Sequence, residues 1–375
     1  MGRVPSTMIT SFVFRDHCYL ILSLDPSSLS IFPEVNTNNY ASWENSANGI
    51  ANTNWFNLHY KPTALRQNYT LNMSGGNAGT QFYVSAGYYN EEGILRYADI
   101  DYKRYNFNSS VSSDLTSWLK LKANVKYTRS NNQTPLAGYE DMFFHNLARM
   151  RPNVSPYDFY GNWNEQSMVP YLQSGTKDDL TNNTLAILSG LEISPLKNWK
   201  IFADLNYRLD NDANDILKLP GTIYGIDGTS YLVNRSEYNI PLGGSFERKM
   251  NSNNYLTPNI YTNYKLSLDN HNFDVTAGFQ QELNQFKEIY TSASDLISFD
   301  RPGIDLSTGT KSSKEARNHW ATRGFFARLN YNFDQKYLLE VNGRYDGSSR
   351  FAPGNRWGFF PSISAAQEAV KALSP

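Results

Sequence analysis

The feature that most restricts this chain is a two-residue alternation that recurs from Arg66 onward. In Leu119-Lys120-Leu121-Lys122-Ala123-Asn124-Val125-Lys126-Tyr127 every odd position is apolar and every even one polar. Side chains of a strand alternate between its faces, so this segment presents one apolar face and one hydrated face. The same period recurs at 69–73, 82–88, 105–111, 185–193, 199–207, 260–266, 273–279, 325–331 and 337–345, and more weakly at 357–365, where Pro361 interrupts it. These runs imply about eleven strands, most of about 10–14 residues. Such lengths let a tilted strand cross a bilayer, whereas ordinary globular strands have about 5–6 residues.

The connections narrow the choice further. Short links fall near 75–79, 114–117, 195–197, 269–272 and 334–336, and they alternate with longer ones at 90–101, 131–181, 211–252, 285–319 and 346–355. In an up-and-down meander all the short turns then lie at one end and all the long loops at the other. A soluble sandwich with Greek-key crossovers has no reason to sort its loops by length, but a transmembrane barrel does. The expected fold is therefore all-β: antiparallel transmembrane barrel strands, about eleven of them, forming an incomplete half-barrel with long external loops. One segment reads helical: 139–150 places Met142, Phe143, Leu147 and Met150 at three- and four-residue spacing, and Arg151-Pro152 ends it.

Composition excludes several alternatives. No window approaches the roughly 18 consecutive apolar residues that a spanning helix needs. With 34 basic and 35 acidic residues, and no long like-charge run, there is no field to hold nucleic acid. A single cysteine, Cys18, excludes a disulfide framework and a cysteine-built metal cluster. Conversely, 26 Tyr, 21 Phe and 7 Trp suit a large β surface that is wet on one side and apolar on the other. The first 35 residues lack this texture; Arg15, Asp16 and His17 break the apolar stretch after Arg3, so the segment reads as an unstructured start more than a signal peptide.

Three stretches resemble the SusC/RagA-type TonB-dependent outer-membrane transporters of Bacteroidota. The first is Asn54-Trp55-Phe56 followed by Gln67-Asn68-Tyr69-Thr70-Leu71-Asn72-Met73-Ser74-Gly75-Gly76. The second is Gln81-Phe82-Tyr83-Val84-Ser85-Ala86-Gly87-Tyr88-Tyr89-Asn90-Glu91-Glu92-Gly93-Ile94. The third, the most specific, is Arg344-Tyr345-Asp346-Gly347-Ser348-Ser349-Arg350-Phe351 with Asn355-Arg356-Trp357-Gly358-Phe359-Phe360-Pro361-Ser362. The resemblance divides the chain into a poorly structured segment at 1–51 with no recognisable plug, a partial barrel at 52–366, and a tail at 367–375 that departs from the family and reads helical. It implies a middle-of-barrel piece, in the bacterial outer membrane, of a transporter whose closed barrel has roughly 22 strands. The implied partners are a SusD-like surface lipoprotein, outer-membrane lipid, an oligosaccharide or peptide substrate, and the TonB complex through an N-terminal portion not recognisable here. Transport by this chain alone is not expected. The rival readings are a passive outer-membrane porin or structural barrel, and a soluble carbohydrate-binding β protein.

No catalytic residue, cofactor or metal is expected. His17, His59, His145, His271 and His319 have no metal-ligand spacing and read as solvated or turn histidines, with His271 in a tight turn and His319 opening a strand. No nucleophile-elbow or zinc-protease motif is present. The glycine-rich 75–80 segment lacks a following Lys-Ser/Thr and reads as a hairpin turn. Asp210-Asn211-Asp212-Ala213-Asn214-Asp215 spaces oxygen ligands as a calcium loop does, but Asp215 and Gly221 stand where that loop wants glycine and glutamate, so it reads as a solvated loop start. The candidate substrate contacts are loop aromatics: Tyr157, Phe159, Tyr160 and Trp163 in the longest loop, and Tyr224, Tyr231 and Tyr238 in the next. Their rings can stack on the C–H faces of sugars while amides, carboxylates and guanidinium groups satisfy hydroxyls; packing of loops against one another is the alternative. Trp118, Trp199, Tyr207, Trp320 and Tyr345 are expected in the aromatic girdles of the membrane interface.

Overall fold

The structure is a computed structural model that describes residues 51–135, 140–158, 160–163, 167–224, 228–233 and 240–368. Eleven strands form one sheet: β1 (Arg66–Gly76), β2 (Thr80–Glu92), β3 (Asp101–Asp114), β4 (Leu119–Thr134), β5 (Lys177–Leu196), β6 (Trp199–Lys218), β9 (Ser245–Leu268), β10 (His271–Ser294), β11 (Lys311–Phe333), β12 (Tyr337–Ser348) and β13 (Trp357–Gln367). Each pairs antiparallel with its chain neighbour, and β1 and β13 are the two edges of the sheet. The small hairpin β7 (Gly221–Tyr224) and β8 (Ser230–Val233) interrupts the series within the loop between β6 and β9. Every strand expected from the alternation is present, and the long and short connections segregate as expected.

The pairing register makes the two faces explicit. One rung joins Leu121, Leu191, Ala203, Ile260, Phe279, Phe325, Tyr345 and Phe359 across eight strands. The next joins Lys122, Gly190, Asp204, Asn259, Gln280, Gly324, Asp346 and Gly358. The first rung is open to its surroundings, with Ile260 at 55% and Phe325 at 52% exposure. Large side chains left bare in this way are what a lipid-facing wall requires. The polar face carries ion pairs instead, among them Glu192 bridging Lys122 at 3.1 Å and Lys200 at 2.6 Å. The lysines of β4 thus share the polar face and its leucines the apolar one.

Tight turns close the short end. At the β1–β2 turn the Asn77 side-chain oxygen accepts from the Gly79 and Thr80 amides at 2.9 and 2.8 Å, while Gly76 takes φ +141°. Asp269, Asp334 and Gln335 adopt left-handed conformations at two further turns, as hairpins of right-twisted strands demand.

Several sequence expectations need correction. β5 and β6 have 20 residues, β9 and β10 24, and β11 23, well beyond the 10–14 expected. Above the apolar band both faces are wet, so alternation disappears while the backbone ladder continues, as through Asn251-Ser252-Asn253-Asn254. For the same reason Asp210–Asp215 belongs to β6 and is not a loop. His271 opens β10, paired with Leu268 and Phe333, and His319 lies within β11. Trp320 shares a rung with Asn284 and Tyr255 on the polar face, so it cannot join a lipid-facing girdle. Trp199, Tyr207 and Tyr345 do lie on the apolar face, and Trp118 sits exposed in the turn before β4.

The helix expected at 139–150 is α2 (Glu140–Arg149), and two short helices that the sequence reading did not find accompany it, α1 (Trp55–His59) and α3 (Val169–Leu172). No described helix is long and apolar enough to cross a membrane. Gln367 pairs with Tyr337 as the last residue of β13. The start at 1–50 and the tail from 369 lie outside the described residues.

Candidate functional site

Two features at the long-loop end could meet a ligand: a pocket among the loops, and a groove on the polar face of the sheet below it.

The loops have a core of their own. α1 begins where the Asn54 side chain accepts from the Asn57 amide, and it inserts Trp55 among Leu95, Phe143, Leu147, Met168, Leu172 and Ile240. Trp55 Nε1 donates to the Arg151 carbonyl at 2.9 Å, and Thr53 Oγ1 donates to the Val154 carbonyl at 2.8 Å. The segment preceding β1 is therefore fastened to the loop that follows α2. His59, read from sequence as a solvated or turn histidine, is fully buried here. Its Nδ1 donates to the Trp55 carbonyl at 2.8 Å, and its ring meets Phe143 edge-on. Nε2 has no partner among the described residues. Burial lowers the His59 pKa from the ordinary 6.5, against a smaller opposing effect of the Trp55 carbonyl, so the imidazole is neutral at pH 7. Burial also pushes the neighbouring Tyr60 hydroxyl up to about 12.

The sign of the linkage is definite. A histidine whose pKa is depressed by folding binds fewer protons folded than unfolded, so its contribution is intact above 6.5 and declines as pH falls below it. Amide exchange in α1 and α2 is expected to accelerate between pH 7 and pH 5 relative to that in β10. A His59→Leu variant should flatten that dependence; an unchanged profile would remove His59 as its cause.

The aromatic pocket encloses about 500 Å³ between Tyr157, Asn162, Trp163, Pro170, Gln173, Thr222 and Tyr224. Tyr157 stacks on Trp163 at 4.6 Å, and Trp163 meets Tyr97 edge-on at 5.1 Å. A buried carboxylate, Asp158, shapes the turn between them: its Oδ1 accepts from the Tyr160 and Asn162 amides at 2.9 and 2.7 Å. Burial, with a smaller contribution from nearby Tyr97, raises the Tyr157 pKa. Of the loop aromatics named from sequence, Tyr157, Trp163 and Tyr224 converge here. Tyr160 is 56% exposed against Gly228, and Tyr231 is 48% exposed on β8 opposite Ile223, both outside the pocket. Phe159 and Tyr238 lie outside the described residues.

The groove on the polar face holds about 600 Å³ and crosses five strands, from Asn182 and Thr184 through Arg208, Asp210 and Asp212 to Asn253, Asn284 and Trp320. Its polar groups are mutually braced. Thr184 donates to Asp210 at 2.8 Å, Arg208 to the same carboxylate at 2.9 Å, and Asn284 to Asn253 at 2.8 Å. The indole of Trp320 lies between Tyr255, at 6.0 Å, and the guanidinium of Arg350, at 4.5 Å.

Arg350 gets there through the sequence motif. Arg344 holds Asp346 at 2.7 Å at the top of β12. Gly347 is obligatory, since a Cβ would lie 2.7 Å from the Trp357 indole, which stacks on Tyr345. The Ser348 amide donates to the Arg356 carbonyl, and the Arg356 side chain to the Phe351 carbonyl. Ser349 exchanges two 2.9 Å hydrogen bonds with Ala321, one from its amide and one to its hydroxyl. The Asn355 amide donates to the Ala352 carbonyl, closing the loop, and Phe351 is left 60% exposed. The motif is thus a hairpin tied back onto β11 that carries one cation over one indole. No sequence signal marked Trp320 or Asp210 as groove residues, because their facing follows from cross-strand register alone.

No family model matches the chain. It is 25% identical over 340 residues to the TonB-dependent receptor P26 of Formosa agariphila, covering 86% of this chain and 32% of that protein. It is 27% identical over 340 residues to the TonB-dependent receptor SusC of Bacteroides thetaiotaomicron, covering 84% and 32%. It thus spans about a third of the length of these relatives. Among solved structures, the RagAB peptide transporter superposes with a TM-score of 0.68 at 21% identity, over 84% of this chain and 35% of that one. These relatives are named as receptors and transporters. In sequence the chain is similar to TonB-dependent receptors of the SusC type, and in fold to the barrel wall of the RagAB transporter, both proteins of the bacterial outer membrane.

Proposed function

We propose that this barrel wall serves TonB-coupled import of oligosaccharides or peptides, with a SusD-like surface lipoprotein as the partner at the long-loop end. The observation that carries the reading is the polar-face groove. It sets an indole beside amides and carboxylates that are braced in place but keep acceptor and donor capacity toward the interior. Such a surface offers a C–H stacking plane and hydroxyl partners together, which favours an oligosaccharide over an apolar cargo. The similarity to SusC and to the RagAB peptide transporter supports import as the activity. The work is binding and release, so no residue is assigned a chemical step.

The test is ligand-dependent quenching of tryptophan fluorescence for the detergent-solubilised chain, with a panel of neutral oligosaccharides and of peptides. Trp320→Ala is expected to weaken the best oligosaccharide about tenfold, or about 1.4 kcal/mol, and Trp163→Ala less. Equal affinity in Trp320→Ala would reject the groove, and preference for peptides across the panel would reject the oligosaccharide reading. Uptake by a complete barrel containing this wall that persists in cells without TonB would favour a passive pore.

A further inference from the structure

The polar-face groove holds one charge that the protein leaves unmatched. Of the four charged side chains that line it, Arg208 and Asp210 hold each other at 2.9 Å, and Arg350 lies on the Trp320 indole. Asp212 makes no hydrogen bond and no ion pair among the described residues. The register sets it opposite Asn182 on β5 and Asn251 on β9, with Asn214 two residues along on the same inward face. Opposite residues of an antiparallel pair have Cα atoms about 4.5–5.5 Å apart, and same-face neighbours along a strand lie roughly 7 Å apart. All four side chains therefore belong to one site. That site is rich in acceptors and short of donors. The Asn214 and Asn251 side-chain oxygens are enclosed without a donor, an uncommon state for a polar atom, and the Asn182 amide group donates away from the site, toward Ser130 at 3.5 Å. Two cations of the same face are engaged elsewhere: Arg208 with Asp210, and Lys249 with Glu288 at 3.0 Å.

We propose that Asp212, flanked by Asn182, Asn251 and Asn214, is the seat for a primary ammonium group of the cargo, borne by an amino sugar or by the amino terminus of a peptide. The assignment rests on the groove being a cargo site and adds the charge that the cargo carries. An ammonium brings three N–H donors and a positive charge on one compact atom. One donor meets the carboxylate, and the others are offered to the amide oxygens beside it. A sugar hydroxyl would bring a donor without the charge, and a hydrogen bond between two ionised groups is roughly twice as strong as a neutral one. Among the described residues no three His, Cys, Asp or Glu side chains gather as metal ligands, so a lone carboxylate among amides suits an ammonium better than a divalent ion.

The test is a tryptophan-quenching titration of the full detergent-solubilised chain at about pH 6, below the pKa of a peptide amino terminus. Two matched pairs are the probes: a glucosamine pentamer and its fully N-acetylated form, and a pentaglycine amide with a free or an acetylated amino terminus. The amine form of at least one pair is expected to bind about tenfold more tightly than its acetylated form, and the pair that shows it identifies the source as amino sugar or peptide. Asp212→Asn should level that pair by weakening the amine form alone. Asp204→Asn removes an inward carboxylate of the same strand that lies outside the groove, and it should leave the ratio unchanged. Circular dichroism verifies that both variants keep their strand content. Equal affinity within both pairs, or a ratio that survives Asp212→Asn, would overturn the proposal. So would a ratio lost equally in Asp204→Asn, which would mark a diffuse field of the interior. Binding of the acetylated forms reports on the groove as a cargo site and the amine-to-acetyl ratio on Asp212, so the two readings fail separately.

Discussion

Leu205→Arg should cost this sheet about 2–4 kcal/mol of membrane-folded stability, whereas Asn206→Arg, one residue along, should cost about 1 kcal/mol or less. Leu205 is on the lipid-facing row of β6, 44% exposed, between Ser189 and Pro258. A guanidinium there has no water and no partner. Asn206 faces the interior between Leu188 and Thr257, where Asp204 lies on the same strand face and water has access. Guanidine-dependent refolding into phosphocholine vesicles measures the difference. Equal costs at the two positions would mean that the faces are misassigned.

A second large effect concerns the edges. β1 has 11 residues with one side of the backbone unpaired, and so does β13. Their outward side chains are among the barest in the molecule, with Leu71 at 74% and Ile363 at 73% exposure. Unpaired backbone groups facing hydrocarbon cost several kcal/mol each, so the chain by itself should recruit strands from other copies. Expressed alone, it is expected to run as oligomers in detergent and to conduct poorly in bilayers. Cysteines at Leu71 and Ile363, in a Cys18→Ser background, should cross-link between copies. A monomer with heat-modifiable migration and steady conductance would contradict an open sheet.

What could be read from the sequence follows from where physics writes a period. Where one face meets lipid and the other water, as in Leu119–Tyr127, each residue's side is fixed by its parity, so strand number, order and facing were all legible. Above the membrane that constraint lapses. Asp210–Asp215 then reads as a loop although it continues β6, and the hairpin of β7 and β8 leaves no trace. Trp320 shows the limit most clearly. Aromatic and near a strand end, it suits a girdle by composition, but register turns it inward beneath Arg350. The loop pocket was half legible: aromatic content picked out Tyr157, Trp163 and Tyr224, but the buried Asp158 that ties the turn between Tyr157 and Trp163 and the buried His59 carry no local pattern.

The central claim is that odd and even positions of these strands live in different solvents, and β4 tests it most directly. Single cysteines placed at each position from 119 to 127, in a Cys18→Ser background and in lipid vesicles, are exposed to a membrane-impermeant maleimide. Lys120, Lys122, Asn124 and Lys126 should label readily, while Leu121, Ala123 and Val125 should be protected until the bilayer is dissolved. Uniform labelling, or protection of the lysine positions in place of the leucines, would contradict the account.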